Sequence, residues 1–253
     1  MIHSEYGICP PFEGTILPEC PLLFGCEYEI EDLVAVNTLP MGIHIETDGS
    51  LRNNGKEFIT SPQPLEDSVE LFSMLHSELA YGAEAFSDRT SIHVHVNCLN
   101  LELDEVRNIV LLYALFEESF FSLVNSNRRD NIHCVALTET FLPSIYRVGL
   151  STMVARWHKY TALNLKPLAT LGTLEFRHMH GHSDPILLRM WLTVITKLFE
   201  VGKTFIVSKE TISEDSLQKL FYTIFNGTPL IKHWHSIRAT MGNQILDVKL
   251  STL

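Results

Sequence analysis

No stretch of the sequence approaches the ~20 apolar residues that a bilayer-spanning helix needs. The longest candidate, residues 109–116, has eight residues and is stopped by Glu117 and Glu118, so it predicts a buried helix segment. Basic residues are scarce. Against 30 Asp and Glu stand 19 Lys and Arg, a formal net charge of -11. That balance argues against sequence-independent binding to nucleic acid or to anionic membranes, while leaving room for a local basic pocket. The five cysteines, at positions 9, 20, 26, 98 and 134, include no close pair with zinc-ligand spacing. Their odd number gives no disulfide framework, and a reducing, cytoplasmic setting is the expectation. The first six residues have neither the basic start nor the apolar core of a signal peptide. Repeats, low-complexity segments and linkers are missing too. What is present is a globular composition, 45% hydrophobic and 19% charged over 253 residues, enough for one large domain or two small ones.

Residues 1–21, with Pro10, Pro11, Pro18 and Pro21 and no periodicity, read as an irregular lead-in. Residues 22–30 run from an apolar start into Glu27 and Glu29 and predict a strand. Successive strand side chains alternate, so both glutamates share one face while Cys26, Tyr28 and Ile30 take the other. Taken alone, such a pair is either the charged face of an edge strand or two carboxylates that need a cation between them. Further strands are expected at residues 44–47 and 56–61, separated by the turn signals Asp48-Gly49-Ser50 and Asn53-Asn54-Gly55. A helix follows over residues 65–81. Residues 91–97 alternate strictly, with His93, His95 and Asn97 on one face and Ile92, Val94 and Val96 on the other. Asp104 is the expected cap of a helix over 105–124. Strands are expected at 157–165 and 173–179, the second placing Thr173, Glu175, Arg177 and Met179 together. Asp184 and Pro185 open a helix through Trp191 and Phe199, and helices at 216–225 and 230–241 complete the chain. The organisation is thus a lead-in (1–21), a main unit (22–207) and a C-terminal helical extension packed on it (208–253).

Four strands therefore carry a chemically able face: Glu27/Glu29, Glu57, His93/His95/Asn97 and Glu175/Arg177. The pattern predicts an α+β fold in which a curved antiparallel sheet has helices on its outer face and a polar trough on its inner one. Several glutamates with one histidine form a hard donor set suited to Mg²⁺ or Mn²⁺. An arginine beside a glutamate on the same face fits simultaneous binding of a cation and a phosphate. Other features carry less. His178, His180 and His182 fall in an expected turn, Cys134 is by default a small buried hydrophobe, and Arg128 and Arg129 are by default solvated loop charges.

The ordered strings Phe24-Gly25-Cys26-Glu27-Tyr28-Glu29, Asp48-Gly49-Ser50-Leu51, Gly55-Lys56-Glu57-Phe58, Ser61-Pro62, Ile92-His93-Val94-His95-Val96, Tyr160 to Asn164 and Gly172-Thr173-Leu174-Glu175-Phe176-Arg177 resemble the amidoligase family of the glutamine-synthetase-like carboxylate-amine ligase superfamily. The resemblance covers roughly residues 22–200. It implies a glutamine-synthetase-like catalytic domain over 22–207, with ATP and metal ions on the inner face. Position by position it makes Glu27 and Glu29 ligands of paired Mg²⁺ ions, Glu57 a ligand on the substrate side, His93 a ligand on the nucleotide side and Glu175 a further metal ligand. His95 and Asn97 fall to the nucleotide, Arg177 to the transferred phosphoryl group, and Arg128 to a phosphate. Where the family pattern has glycine, this chain has Ser91.

The implied reaction joins a carboxylate donor to an amine acceptor, which is an amino acid, a peptide or a protein side chain, through an acyl phosphate. Two rivals remain at this point. One is a metal-dependent hydrolase built on the same Glu/His cluster, and the other is a non-catalytic binding protein on the same fold. Residues 131–156 and 226–243 are expected to share in substrate selection, and oligomeric state is open.

Overall fold

The computed structural model describes residues 1–6, 22–137 and 148–252. Residues 7–21 of the lead-in, and the part of the expected substrate-selecting stretch at 138–147, lie outside the described residues. The described start of the lead-in is not irregular. Ile2–Tyr6 forms a short helix, α1, docked by the buried Ile2 and by its N–H donating to the Leu101 carbonyl at 3.0 Å.

The sheet strands are β1 (Phe24–Ile30), β3 (Ile43–Glu46), β4 (Lys56–Thr60), β6 (Ser91–Asn97), β7 (Leu163–Asn164) and β8 (Thr173–His180), while β2 (Leu33–Val36) and β5 (Leu79–Tyr81) form a separate ribbon. The six-stranded sheet has the order β3-β4-β1-β6-β8-β7, and each of these pairings is antiparallel. The expected α+β class with an antiparallel sheet and packed helices is the class observed. Alternation does the sorting. Cys26, Tyr28, Phe58, Ile92, Val94, Val96, Leu174 and Phe176 are buried in a single large core. Helices α2 (Leu65–Glu78), α3 (Leu103–Phe121) and α5 (Pro185–Thr204) close that core. α3 is apolar nearly all round because it is central, with Ile109, Val110, Leu111, Leu112 and Tyr113 all fully buried. α5 begins as its sequence dictates, the Asp184 carboxylate accepting from the Ile186 N–H at 2.8 Å. The extension adds α6 (Glu214–Ile224), α7 (Trp234–Thr240) and α8 (Gly242–Ser251). Residues 226–243 place Leu230 and Trp234 in the same core, with the Trp234 ring tilted against that of Phe221 of α6 at 5.1 Å. Among the described residues no helix is long and apolar enough to cross a membrane.

Several boundaries differ from expectation. The helix expected to reach residue 81 stops at Glu78, because Leu79–Tyr81 pairs with β2 instead. α3 starts at Leu103 rather than Glu105: Glu102 is its cap, its N–H donating to the Glu105 carboxylate at 2.7 Å, whereas Asp104 pairs with Arg107 at 3.0 Å. Of residues 157–165 only Leu163–Asn164 is strand. It is preceded by α4 (Leu150–Arg156) and a turn in which the Thr161 hydroxyl donates to the His158 carbonyl at 2.7 Å. Residues 229–233 form a 3-10 turn rather than the first turns of an α-helix, and α8 had no expected counterpart.

Candidate active site

β1 lies between β4 and β6, and register decides which side chains meet. Glu27 stands opposite His93, Glu29 opposite Glu57, and Gly25 opposite His95. On the next strand His95 stands opposite Glu175, and Asn97 opposite Thr173. Cross-strand neighbours on one face lie ~4.5–5.5 Å apart at Cβ, so the four expected polar faces merge into one cluster. Glu29, His93 and Glu175 are each about 5% exposed or less.

The contacts inside the cluster are specific. His93 Nδ1 lies 3.0 Å from Glu27 Oε2 and 3.6 Å from Glu175 Oε1. His95 Nε2 lies 3.1 Å from Glu27 Oε1, and its Nδ1 lies 3.0 Å from the Thr173 hydroxyl. The Arg177 guanidinium pairs with the Glu175 carboxylate through Nη1, while its Nε donates to the His133 carbonyl at 3.0 Å. The other Glu175 oxygen accepts from Asn164 Nδ2 at 2.6 Å. Ser91 donates its N–H to Glu29 Oε2 at 2.7 Å, and its hydroxyl lies 2.5 Å from the same oxygen.

Electrostatics match a cation-binding role. Burial, and after it the negative charges of Glu27, Glu29, Asp48 and Glu46, pushes the Glu57 carboxyl up to about 8. Burial acts the same way on Glu27, but hydrogen bonds and positive charge from His93 and His95 outweigh it and hold that carboxyl well below the usual range. Burial depresses His95, but its bond to Glu27 together with the negative charges of Glu27 and Glu175 more than restores it, so the net shift is upward. Two donor groups stand out among the described residues, Glu27–His93–Glu175 and Glu29–Glu57–His93, each with ligand atoms within 4.8 Å of one another. Their oxygen-rich chemistry fits a divalent cation such as Mg²⁺ or Mn²⁺.

The structure thus brings together Glu27, Glu29, Glu57, His93, His95, Glu175 and Arg177. Asn97 sits at the end of the row, where its side-chain oxygen accepts from the Leu99 N–H at 3.0 Å and shapes its own turn. Met179 does not join Glu175. A register shift in the β6–β8 pairing leaves Arg177 and His178 opposite His93, so Met179 pairs with Ile92 on the core side. His178 lies in β8 rather than in a turn, buried with Tyr113 Oη 2.9 Å from its Nε2.

Neither arginine of the 125–131 loop is a solvated charge. Arg129 pairs with Glu118 at 3.0 Å. Arg128 is about 1% exposed, with Nε donating to the His178 carbonyl at 3.0 Å and Nη2 to the Arg177 carbonyl at 2.7 Å. The Cys134 thiol is pushed up to about 11 by burial in spite of Arg128 and Arg177, which leaves it no thiolate character at neutral pH.

Sequence reasoning missed three supporting residues. Ser91 is the first member of the alternating row that holds His93 and His95, so periodicity could have found it. Thr173 shares the face of Glu175 by the same alternation. Asn164 ends one of the strings that carry the family resemblance, but its bond to Glu175 depends on pairing with the neighbouring strand.

No curated protein matches the chain. Residues 52–197, more than half of its length, match the family described as "putative amidoligase enzyme". The matched span holds Glu57, His93, His95, Arg128, Glu175 and Arg177, while Glu27 and Glu29 precede it and join the cluster through the register of β1 with β4 and β6. The clustered carboxylates and histidines and this match lead to one statement: the chain belongs to the amidoligase family, a family of ligase-type enzymes.

Proposed function

We propose that the protein is an ATP-dependent carboxylate-amine ligase forming an amide or isopeptide bond. The observation that carries this reading is the meeting, on one sheet face, of two carboxylate-rich donor groups with the Arg177 guanidinium. Free carboxylates do not acylate amines in water, so the carboxylate must first be activated. In the proposed sequence a carboxylate oxygen attacks the γ-phosphorus of ATP and the bond to the β–γ bridging oxygen breaks, releasing ADP. The amine then attacks the acyl carbon, the C–O bond to phosphate breaks, and the amine loses its proton.

Divalent cations bound by Glu27, His93 and Glu175, and by Glu29 and Glu57, would neutralise charge on the phosphate oxygens. The work left to the chain is orientation and electrostatics. Arg177, steadied by Glu175 and the His133 carbonyl, supplies positive charge to the transferred phosphoryl group. His95, held through Nε2 by Glu27 and through Nδ1 by Thr173, lines the nucleotide side of the site in this reading. The same reading places the protein in the cytoplasm.

Calorimetry of ATP binding with and without Mg²⁺ is the first test, and Mg²⁺-dependent binding is expected. No nucleotide binding with Mg²⁺ present would remove the proposal. Glu27–His93–Glu175 is also a donor set that zinc accepts. A hydrolase built on it would hold Zn²⁺ or Mn²⁺ as purified and need no nucleotide, which metal analysis distinguishes.

A further inference from the structure

His93 belongs to both donor groups, yet one imidazole nitrogen ligates one cation. The hydroxyl of Ser91 decides which. Its oxygen lies 2.5 Å from Glu29 Oε2 and 2.8 Å from His93 Nε2, and it has a single proton to give. The hydroxyl donates that proton to Glu29 Oε2. The remaining lone pair then accepts from His93, which requires a proton on Nε2. The Ser91 N–H, donating to the same Glu29 oxygen at 2.7 Å, fixes the arrangement from the backbone. His93 Nδ1 is left facing Glu27 at 3.0 Å and Glu175 at 3.6 Å, whereas Nε2 is occupied and 4.0 Å from the nearer Glu29 oxygen.

The geometry points to Ser91 as a positioning residue that holds a proton on His93 Nε2, assigns Nδ1, which hydrogen-bonds Glu27 while no cation is bound, to the cation held with Glu27 and Glu175, and leaves Glu29 and Glu57 as a two-carboxylate site. The two donor groups are therefore unequal. The first has three ligands from the protein. The second must take oxygen donors from elsewhere, and in the ligase reading, on which this last step rests, these are phosphate oxygens of the nucleotide. Partners that fix the tautomer and orientation of a ligating histidine commonly change metal affinity 10- to 100-fold when removed.

The decisive measurement is histidine side-chain ¹⁵N NMR on metal-free protein, which reads ring protonation with neither cation nor nucleotide present. In the wild type His93 is expected to carry a proton on Nε2. A ring protonated on Nδ1 alone overturns the assignment. Ser91→Ala is expected to shift the proton from Nε2 and to weaken Mn²⁺ binding in calorimetry roughly 10- to 100-fold, with Ser91→Thr restoring both. A His93 signal unchanged in Ser91→Ala also overturns it. Wild-type protein that binds no Mn²⁺ would defeat the ligase reading instead, while the ring signal still decides the role of Ser91.

Discussion

Glu29 and Glu57 stand directly opposite each other on adjacent antiparallel strands. Like charges so placed are destabilising, and after burial the negative charges of Glu27 and Glu29 add to the upward shift of Glu57. Mg²⁺ or Mn²⁺ is therefore expected to raise the Tm of chelator-treated protein. Glu57→Gln is expected to raise the metal-free Tm by roughly 2–4 °C, the size of ~1 kcal/mol in a chain of this length after solvent screening, and to reduce the gain from added cation. Differential scanning calorimetry checks both. A lower metal-free Tm with an undiminished cation gain would take Glu57 out of the cluster's charge balance.

Arg177→Ala and Glu29→Ala are each expected to cost roughly 100-fold or more in ATP-dependent ligation, with circular dichroism unchanged. Arg177 makes directional bonds through two nitrogens, so Arg177→Lys should recover little of the loss. ADP release with a competent donor and acceptor is the assay. Near-normal turnover in either alanine variant would exclude that residue from the reaction.

Arg128 lies under β8, donating to the carbonyls of Arg177 and His178. Arg128→Met leaves the buried His178 carbonyl and the partly buried Arg177 carbonyl without this partner and should destabilise the fold by about 2–4 kcal/mol, seen as a lower urea midpoint. A direct phosphate contact, as the family resemblance implies, would instead lower nucleotide affinity with stability unchanged.

Burial pushes the fully enclosed His178 down to about 3, with the charge of Arg128 adding to the effect. Between that value and the unfolded 6.5 the unfolded chain binds more protons at this residue. Its contribution to stability is therefore complete above about 6.5 and lost as pH falls toward 3. The loss is on the order of a few kcal/mol. His178→Leu should cost about 1 kcal/mol at pH 7.5, through the bond to Tyr113, yet show a flatter stability curve from pH 6.5 to 4 in urea titrations. An unchanged acid slope would assign the acid sensitivity to other groups, such as His76 and His182, which burial also depresses.

Gly202 lets α5 approach α3. A Cβ there would come within 2.3 Å of Ile109 Cγ1 and 3.2 Å of the Ile109 backbone. Alanine in a helix interior normally gains ~1 kcal/mol over glycine. Gly202→Ala is expected to reverse that sign, lowering Tm by several degrees, because two buried helices must separate. A raised Tm would show that the helices yield freely.

The strands that build the site were legible because one face of each is apolar and buried. The alternation in β1 and β6 sorted Glu27, Glu29, His93 and His95 from Cys26, Tyr28, Val94 and Val96. The start of α5 was legible from Asp184 and Pro185. What was not legible is non-local. The bulge in β8 arises from pairing with β6, and the alternation of Thr173 to Met179 gave no sign of it. Leu79 continues the helical period of α2 and becomes strand only because β2 offers partners. Arg128 sits in a polar loop beside Arg129, and nothing near it in sequence says that its guanidinium passes beneath β8.

The central place of β1 also governs when the site comes into being. The strands bearing the proposed donors leave the ribosome as β1, β4, β6 and last β8, so a nascent chain carries an acidic row with His93 long before Glu175 and Arg177 arrive. Such a chain lacks the Glu27–His93–Glu175 donor set. A divalent cation held by that set therefore rewards only the finished sheet, by ~2.7 kcal/mol at a concentration 100 times its Kd, and acts as a thermodynamic seal on the docking of β8.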